Sequence, residues 1–268
     1  MDISTEKTSN EYLRVNSCAK QHLFGKDRVR VRKGGRVDWH ILYITRGFCI
    51  IESESECVRV GKGNIILFKP NEPQKYSFLG ADDSVSRYIH FCGRDCEKML
   101  RTAGIYSRLT YVGESGILES IHDRLCDEYW VKKPFFEEMC AGILSEFIMK
   151  AGRLAFYKNN NISVSNVKNM DKICTLMRNE ISNTRKISEY AKLLNLSTDR
   201  FSHAFKESIG ISPKQYIINM KINTATELLS STNMTVSAVA EAVGISDYNY
   251  FSRLIKGYTG NSPLYYRK

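Results

Sequence analysis

The feature that most restricts what this chain can fold into is an internal duplication near its C-terminal end. Residues 187–216, ISEYAKLLNLSTDRFSHAFKESIGISPKQY, return as residues 236–266, VSAVAEAVGISDYNYFSRLIKGYTGNSPLYY, with one residue inserted in the second copy. Ten positions are identical, among them Ala191/Ala240, Ser197/Ser246, Phe201/Phe251, Lys206/Lys256, Gly210/Gly260 and Pro213/Pro263. Two copies are too few to stack into a solenoid. In each, apolar residues at i, i+3, i+4 and i+7 (Ile187, Tyr190, Ala191, Leu194; Val236, Val239, Ala240, Val243) predict a short amphipathic helix. The small Ala191 or Ala240 lets a second helix approach closely. Asn195 or Gly244, residue types that tolerate the left-handed conformation, predict the helix stop, and Ser197 or Ser246 the next N-cap. The pattern is a helix-turn-helix written twice.

The second helix of each copy divides into two faces. Phe201, Ala204 and Phe205, or Phe251, Leu254 and Ile255, form the apolar one. Asp199, Ser202, His203 and Lys206, or Asn249, Ser252, Arg253 and Lys256, form the other, with Arg200, Tyr248 and Tyr250 beside them. Short polar and basic side chains on one exposed helix face are what a reader of the DNA major groove needs. Arg253 suits guanine and Asn249 adenine, whereas Lys206 and Lys256, nearer the helix ends, suit phosphates. A solvated helix face would look the same in one copy alone; the duplication favours the DNA reading. The connecting helix, from Pro213 to about Ser230, separates the readers by ~27 Å at 1.5 Å per residue. That is close to the ~34 Å between successive major-groove faces on one side of a duplex.

These residues resemble a known family. GISDYNYFSRLIKGYTGNSPLYYRK is similar to the signature of the AraC family of bacterial transcription regulators, and residues 187–216 match that family's first helix-turn-helix. A departure is Ile255, where Phe is commoner, with Gly257 just after it. The resemblance implies base contacts at Asp199, Ser202 and His203 in the first reader and at Tyr248, Asn249 and Arg253 in the second. It also implies transcription activation by recruitment of RNA polymerase.

The net charge of +10 leans toward a polyanionic partner, and the excess is denser at the C-terminal end, where residues 159–268 carry 14 basic and 8 acidic side chains. Eight cysteines without a CxxC pair read as thiols in a reducing cytosol, with a switch at Cys92/Cys96 the lesser option. The polar N-terminus and the absence of a long apolar run predict a soluble, cytoplasmic protein without a membrane span.

From Val29 to Phe91, short runs rich in Ile, Val, Tyr and Phe alternate with turn residues, which predicts an antiparallel sandwich or barrel. Helices are expected over 95–103, 116–130 and 134–154, the last with an apolar stripe suited to packing on the barrel or to a subunit interface. The Asn-rich 157–169 reads as a linker. The expected organisation is α+β: a cupin-like antiparallel β-barrel with helices over 1–156 for effector binding and dimerisation, the linker 157–169, and an all-α double helix-turn-helix domain over 170–268.

The segments GRVDWHILYITRG, GNIILFKPNEPQKY and YIHF are similar to the effector-binding barrels of sugar-responsive AraC members. Alternation leaves two inward sets open in the first segment: Asp38, His40, Leu42 and Ile44, or Trp39, Ile41 and Tyr43. Candidate effector-binding residues are Arg36, Asp38, Trp39, Tyr43, Tyr76, Tyr88 and His90, able to stack on and hydrogen-bond a sugar-like ligand. The five histidines contain no HxH pair, so neither a metal nor another cofactor is expected, and the chain does not read as an enzyme. A metal-free cupin enzyme or sugar-binding module, and a ligand-independent regulator controlled by oligomerisation or thiols, are the competing readings.

Overall fold

The computed structural model describes residues 12–53, 56–160 and 164–267, and the chain divides into two compact units at residues 161/162.

The described residues of the N-terminal unit contain nine strands: β1 Arg14–Leu23, β2 Arg28–Arg32, β3 Trp39–Arg46, β4 Phe48–Glu52, β5 Cys57–Gly61, β6 Asn64–Phe68, β7 Gln74–Phe78, β8 Ser84–Cys92 and β9 Leu109–Tyr111. They form two antiparallel sheets, ordered β1-β8-β3-β6-β9 and β2-β7-β4-β5. The barrel expected from the turn spacing is therefore an open sandwich: among the described residues no ladder joins the two sheets into a closed cylinder. Leu42, Ile44, Cys49, Ile51, Ile66, Phe68, Tyr76 and Phe78 fill the space between them. β3 and β8 lie inside the larger sheet and are buried on both faces. Hence β3 lacks the alternation that a half-exposed strand shows, whereas β8 sets Ser84, Ser86, Tyr88 and His90 on one face and Val85, Ile89 and Phe91 on the other. The edge strand β2, RVRVR, is open to solvent, and its arginines discourage pairing with another chain.

Three helices, α1 Cys96–Thr102, α2 Gly116–Val131 and α3 Phe136–Asn159, complete this unit. α2 and α3 pack on each other and against β1, on the outer face of the five-stranded sheet. Ser115 caps α2 by accepting from the Leu118 N–H at 3.3 Å. The apolar stripe of α3 is buried through Cys140, Ile143, Leu144, Phe147, Ile148 and Ala151. Gly152 lets α3 pass against the Ala103 carbonyl, where a Cβ would collide with backbone.

Helix covers both ends of the polar segment 157–169. α3 runs to Asn159, and α4, Val164–Asn179, begins five residues later. Asn-rich composition argues against burial rather than against helix, and Val167 and Met170 of α4 are buried in the core of the second unit.

That unit continues with α5 Ile187–Leu193, α6 Thr198–Ile209, α7 Pro213–Ser231, α8 Val236–Ala242 and α9 Tyr248–Thr259, with 3-10 turns at Ile181–Asn183 and Pro263–Tyr266. It has two cores. Met170, Ile173, Cys174 and Met177 of α4 pack on Tyr190, Ala191, Phe201 and Phe205. Ile222, Ala225 and Leu229 of α7 pack on Val239, Ala240, Val243, Phe251 and Ile255. The long helix serves both, because Tyr216, Ile217 and Met220 turn toward the first core and Ile218 toward the second.

Candidate nucleic-acid interface and effector pocket

Both turns form where the duplication places them. Asn195 has φ +54° and Gly244 φ +69°, so each stops its helix in the left-handed region. The second helix of the first unit, α6, is capped by Ser197, whose Oγ accepts from the Arg200 N–H at 3.3 Å. In the second unit the cap is Asp247, accepting from the Tyr250 N–H at 2.9 Å, and not the expected Ser246. The one-residue insertion lies at this point, and a carboxylate at a helix N-terminus also meets the positive end of the dipole.

α6 and α9 bury only phenylalanine and isoleucine: Phe201 and Phe205 in one, Phe251 and Ile255 in the other. Ile255 is fully enclosed, so the departure at that position leaves the core filled. Asp199, Arg200, His203 and Lys206 are exposed on α6; Tyr248, Asn249, Tyr250, Arg253 and Lys256 are exposed on α9. Ser202 and Ser252 are half-buried, and the Ser202 hydroxyl donates to the Thr198 carbonyl at 2.8 Å. Arg253 Nε donates to the Asn249 carbonyl at 3.3 Å, leaving the two terminal guanidinium nitrogens outside that backbone bond.

The connector fixes α6 and α9 relative to each other. α7 has 19 residues, about 28 Å at 1.5 Å per residue. Its Gln215 Nε2 donates to the Tyr258 hydroxyl of α9 at 2.9 Å, and its Lys221 Nζ donates to the Gly244 carbonyl at 3.1 Å.

In the sandwich the open question of register is answered by the interior cluster. Leu42 and Ile44 face the opposite sheet, so Asp38 and His40 belong to the inward set. Tyr76, Tyr88 and His90 join them. The His40 ring lies 4.4 Å from His90, 6.0 Å from Tyr76 and 6.5 Å from Tyr88, centroid to centroid. Arg36 grips buried Asp38 through both forks, Nε–Oδ1 2.6 Å and Nη2–Oδ2 3.1 Å, and Asn16 adds a third donor at 2.9 Å. Arg32 reaches the Gln74 Oε1 at 3.2 Å.

Burial holds the His40 imidazole well below its usual range, with His90 and the two arginines reinforcing the effect. Burial, then Arg36 and Arg32, push His90 down to about 3. Both rings are therefore neutral, each with one donor and one acceptor nitrogen. His90 Nδ1 pairs with the Ser17 hydroxyl at 2.8 Å. Among the described residues, His40 Nδ1, Gln74 Nε2, Ser86 Oγ and His90 Nε2 are buried without a partner in hydrogen-bonding geometry. Buried polar atoms are rarely left so.

Two sequence candidates lie elsewhere. Trp39 and Tyr43 point to the opposite face of the same strand, toward the helices. Trp39 stacks on Phe91, and the Tyr43 hydroxyl donates to the Gly113 carbonyl at 3.1 Å while accepting from the Ser115 N–H at 3.2 Å. Tyr43 thereby holds the loop entering α2, because successive strand residues alternate faces. Arg32 and Gln74 join this interior without having been expected there, and His40 takes the inward place that alternation had left open. Gln74 stands two residues before Tyr76 on one strand and opposite Arg32 in the ladder, so periodicity from Tyr76 was the available signal.

Among the described residues, no group of three His, Cys, Asp or Glu side chains is placed to hold a metal ion, and no helix is long and apolar enough to cross a membrane.

A β-sandwich with a polar interior, in one chain with two helix-turn-helix units on a shared connector, defines a DNA-binding transcription regulator that carries a ligand-binding domain. The model of the AraC-like ligand binding domain matches residues 23–142, and a helix-turn-helix domain model matches residues 190–268. The chain belongs to the AraC family of transcription regulators. It is 25% identical to the uncharacterized HTH-type transcriptional regulator YisR of Bacillus subtilis, over 94% of this chain and 92% of that one. The arabinose operon regulatory protein of Salmonella typhimurium is 24% identical, over 85% and 83%. That of Escherichia coli is 40% identical over 81 residues, 30% of this chain and 28% of the relative.

Proposed function

We propose that this regulator reads promoter DNA through α6 and α9 and that a small polyhydroxylated, sugar-like effector bound between the two sheets controls that binding. The observation that carries the effector reading is the set of buried, unpartnered polar atoms on Ser86, His40, Gln74 and His90, beside Arg32, Arg36 and Asp38. Neutral imidazoles and an amide offer donors and acceptors together, which matches hydroxyl groups, while Tyr76 and Tyr88 supply stacking surfaces. Relatives named for arabinose operons support the sugar class. The protein acts by binding rather than catalysis, in the cytoplasm, and as an activator that contacts RNA polymerase.

Residues 157–169 link the two domains. Dimerisation runs through the apolar tip of the α2–α3 hairpin, where Trp130, Val131, Phe135 and Met139 are all at least half exposed. An effector shifts operator occupancy only by its differential affinity for the states of the chain.

The test is a thermal-shift screen of the full chain against sugars, followed by operator binding with and without each hit. A ligand at 100 times its dissociation constant raises stability by roughly 2.7 kcal/mol. His40→Ala and Gln74→Ala abolish the shift if the pocket is right; a shift that survives both places the effector elsewhere.

A further inference from the structure

The edge strand β2, RVRVR, sets its charged and apolar residues the opposite way from a strand that lines a hydrophobic interior. Arg28, Arg30 and Arg32 stand opposite Phe78, Tyr76 and Gln74 of β7. Directly paired residues share a face, and Tyr76 and Phe78 face the opposite sheet. The arginines therefore belong to the inward face at the rim of the sandwich. Val29 and Val31 take the outward face and are 54% and 55% exposed. A shift of one residue would exchange the two sets, and arginines on either face would block edge-to-edge pairing. The face they occupy needs another reason.

Arg32 is half-buried, and its Nη1 donates to the Gln74 Oε1 at 3.2 Å and lies 3.5 Å from the Tyr76 hydroxyl. These contacts use one nitrogen of the fork. Among the described residues none of Arg28, Arg30 and Arg32 forms an ion pair. Asp38, the buried carboxylate nearby, is already held by Arg36 and Asn16. Beside Arg32 are the buried, unpartnered His40 Nδ1, Gln74 Nε2, Ser86 Oγ and His90 Nε2. On the facing sheet, the edge strand β1 sets Ser17, Ala19 and Gln21 opposite His90, Tyr88 and Ser86, on the same inward face. Among the described residues no ladder joins β1 to β2, so this seam of the sandwich stays open.

We propose that the effector is an acidic sugar, whose hydroxyl groups meet the neutral polar atoms of the interior and whose acid group, a carboxylate or a phosphate, pairs with Arg32 and Arg30 at the β1–β2 seam. This rests on the sugar-like reading of the same interior and adds the charge. Same-face residues on one strand are roughly 6.6 Å apart, so two guanidinium groups reach one acid group from two sides. Guanidinium groups pair with carboxylate and phosphate oxygens in bidentate geometry. A half-buried cation without a counter-ion carries a desolvation cost. An acidic ligand removes that cost, whereas a neutral sugar leaves it in place.

Isothermal titration calorimetry of the full chain compares neutral pentoses and hexoses with the matching uronates and sugar phosphates, with acetate and inorganic phosphate as bare anions. An acid form is expected to bind about tenfold or more tightly than its neutral parent, and less so at higher salt. R32Q is expected to bring that ratio near one, and R32K to recover part of it. The tighter series, uronate or phosphate, names the source of the charge. A neutral sugar that binds as tightly as its acid forms, or a ratio that R32Q leaves unchanged, overturns the proposal and leaves the sugar reading standing. Bare anions that bind as tightly as the sugar acids also overturn it. Binding by no sugar of either kind overturns both readings. The comparison of acid with neutral parent uses the unsubstituted protein, so it decides even where a variant fails to fold.

Discussion

The ammonium of Lys221, halfway along α7, donates to the carbonyl of Gly244 at the turn of the second helix-turn-helix, 3.1 Å away. Gly244 cannot carry a side chain there: its φ is +69°, and a Cβ would strike the Ser182 carbonyl and press on the Lys221 nitrogen. Burial lowers the Lys221 ammonium from its usual range, yet the bond satisfies a carbonyl at the end of α8. The connector thereby holds the turn that aims α9.

Replacing Gly244 with Ala is expected to destabilise the C-terminal unit by about 2 kcal/mol or more, since strain and collision act together. Lys221→Met should cost about 1–2 kcal/mol, a lost charged hydrogen bond partly offset by easier burial. Both tryptophans, Trp39 and Trp130, lie in the N-terminal unit. Urea unfolding followed by tryptophan fluorescence should therefore stay unchanged, while the helical circular dichroism transition moves to lower urea. A fluorescence midpoint that moves equally would show that the two units do not unfold separately.

Arg253 and Lys206 should separate base reading from phosphate binding. Arg253→Ala is expected to weaken binding to a preferred site by about 1–3 kcal/mol and to relax the choice of base, with little change on random duplex. Lys206→Ala should weaken binding on all sequences alike and reduce the slope of log K against log salt by about one. Fluorescence anisotropy over a salt series distinguishes these outcomes, and identical behaviour of the two variants would refute the division of roles.

The neutral histidine pair makes the sandwich acid-sensitive. The unfolded chain takes up protons below about pH 6.5, whereas His40 and His90 stay neutral in the folded state, His90 down to about 3. The unfolded state thus binds more protons, and stability present above pH 6.5 is lost as the pH falls toward 4. Each histidine contributes about 1.4 kcal/mol per pH unit in that window. Urea midpoints by tryptophan fluorescence at pH 7, 6, 5 and 4 measure the slope, which H90Q should roughly halve. An unchanged slope in H90Q would place the acid-sensitive groups elsewhere.

Arg87, 2% exposed, lies on the helix-facing side of β8 and is held by Asp123 and by Glu119 at 3.2 Å, both more open to water. Removing the buried charge frees carboxylates that water can solvate. Removing both carboxylates strands the cation. Glu119→Gln with Asp123→Asn should therefore cost more than Arg87→Met, with the former near the ~3–5 kcal/mol of an orphaned buried charge. The reverse order in urea unfolding would show that water reaches Arg87.

The C-terminal half was legible because its rules are local. Helix periodicity, a left-handed stop and an N-cap each act within one or two turns, and the duplication let each copy check the other; the Asp247 cap escaped, at the inserted residue, as did the start of α4 at Val164, outside the repeat. The α+β order, and the helices covering 96–102, 116–131 and 136–159, were legible for the same reason.

The polar interior of the sandwich was not legible. β3 is covered on both faces, so polarity does not mark which side looks inward, and Trp39 and Tyr43 could not be told from Asp38 and His40 until the second sheet and the helices were in place. Closure of the barrel and the company of Arg32, Gln74 and His40 depend on residues far apart in the chain. The amino-acid sequence by itself determined the two helix-turn-helix units, their connector and the family they define, because those are set by neighbours within a few residues. Only the tertiary structure decided which polar groups share an interior, because strand pairing and sheet packing act between segments that sequence spacing leaves unconnected.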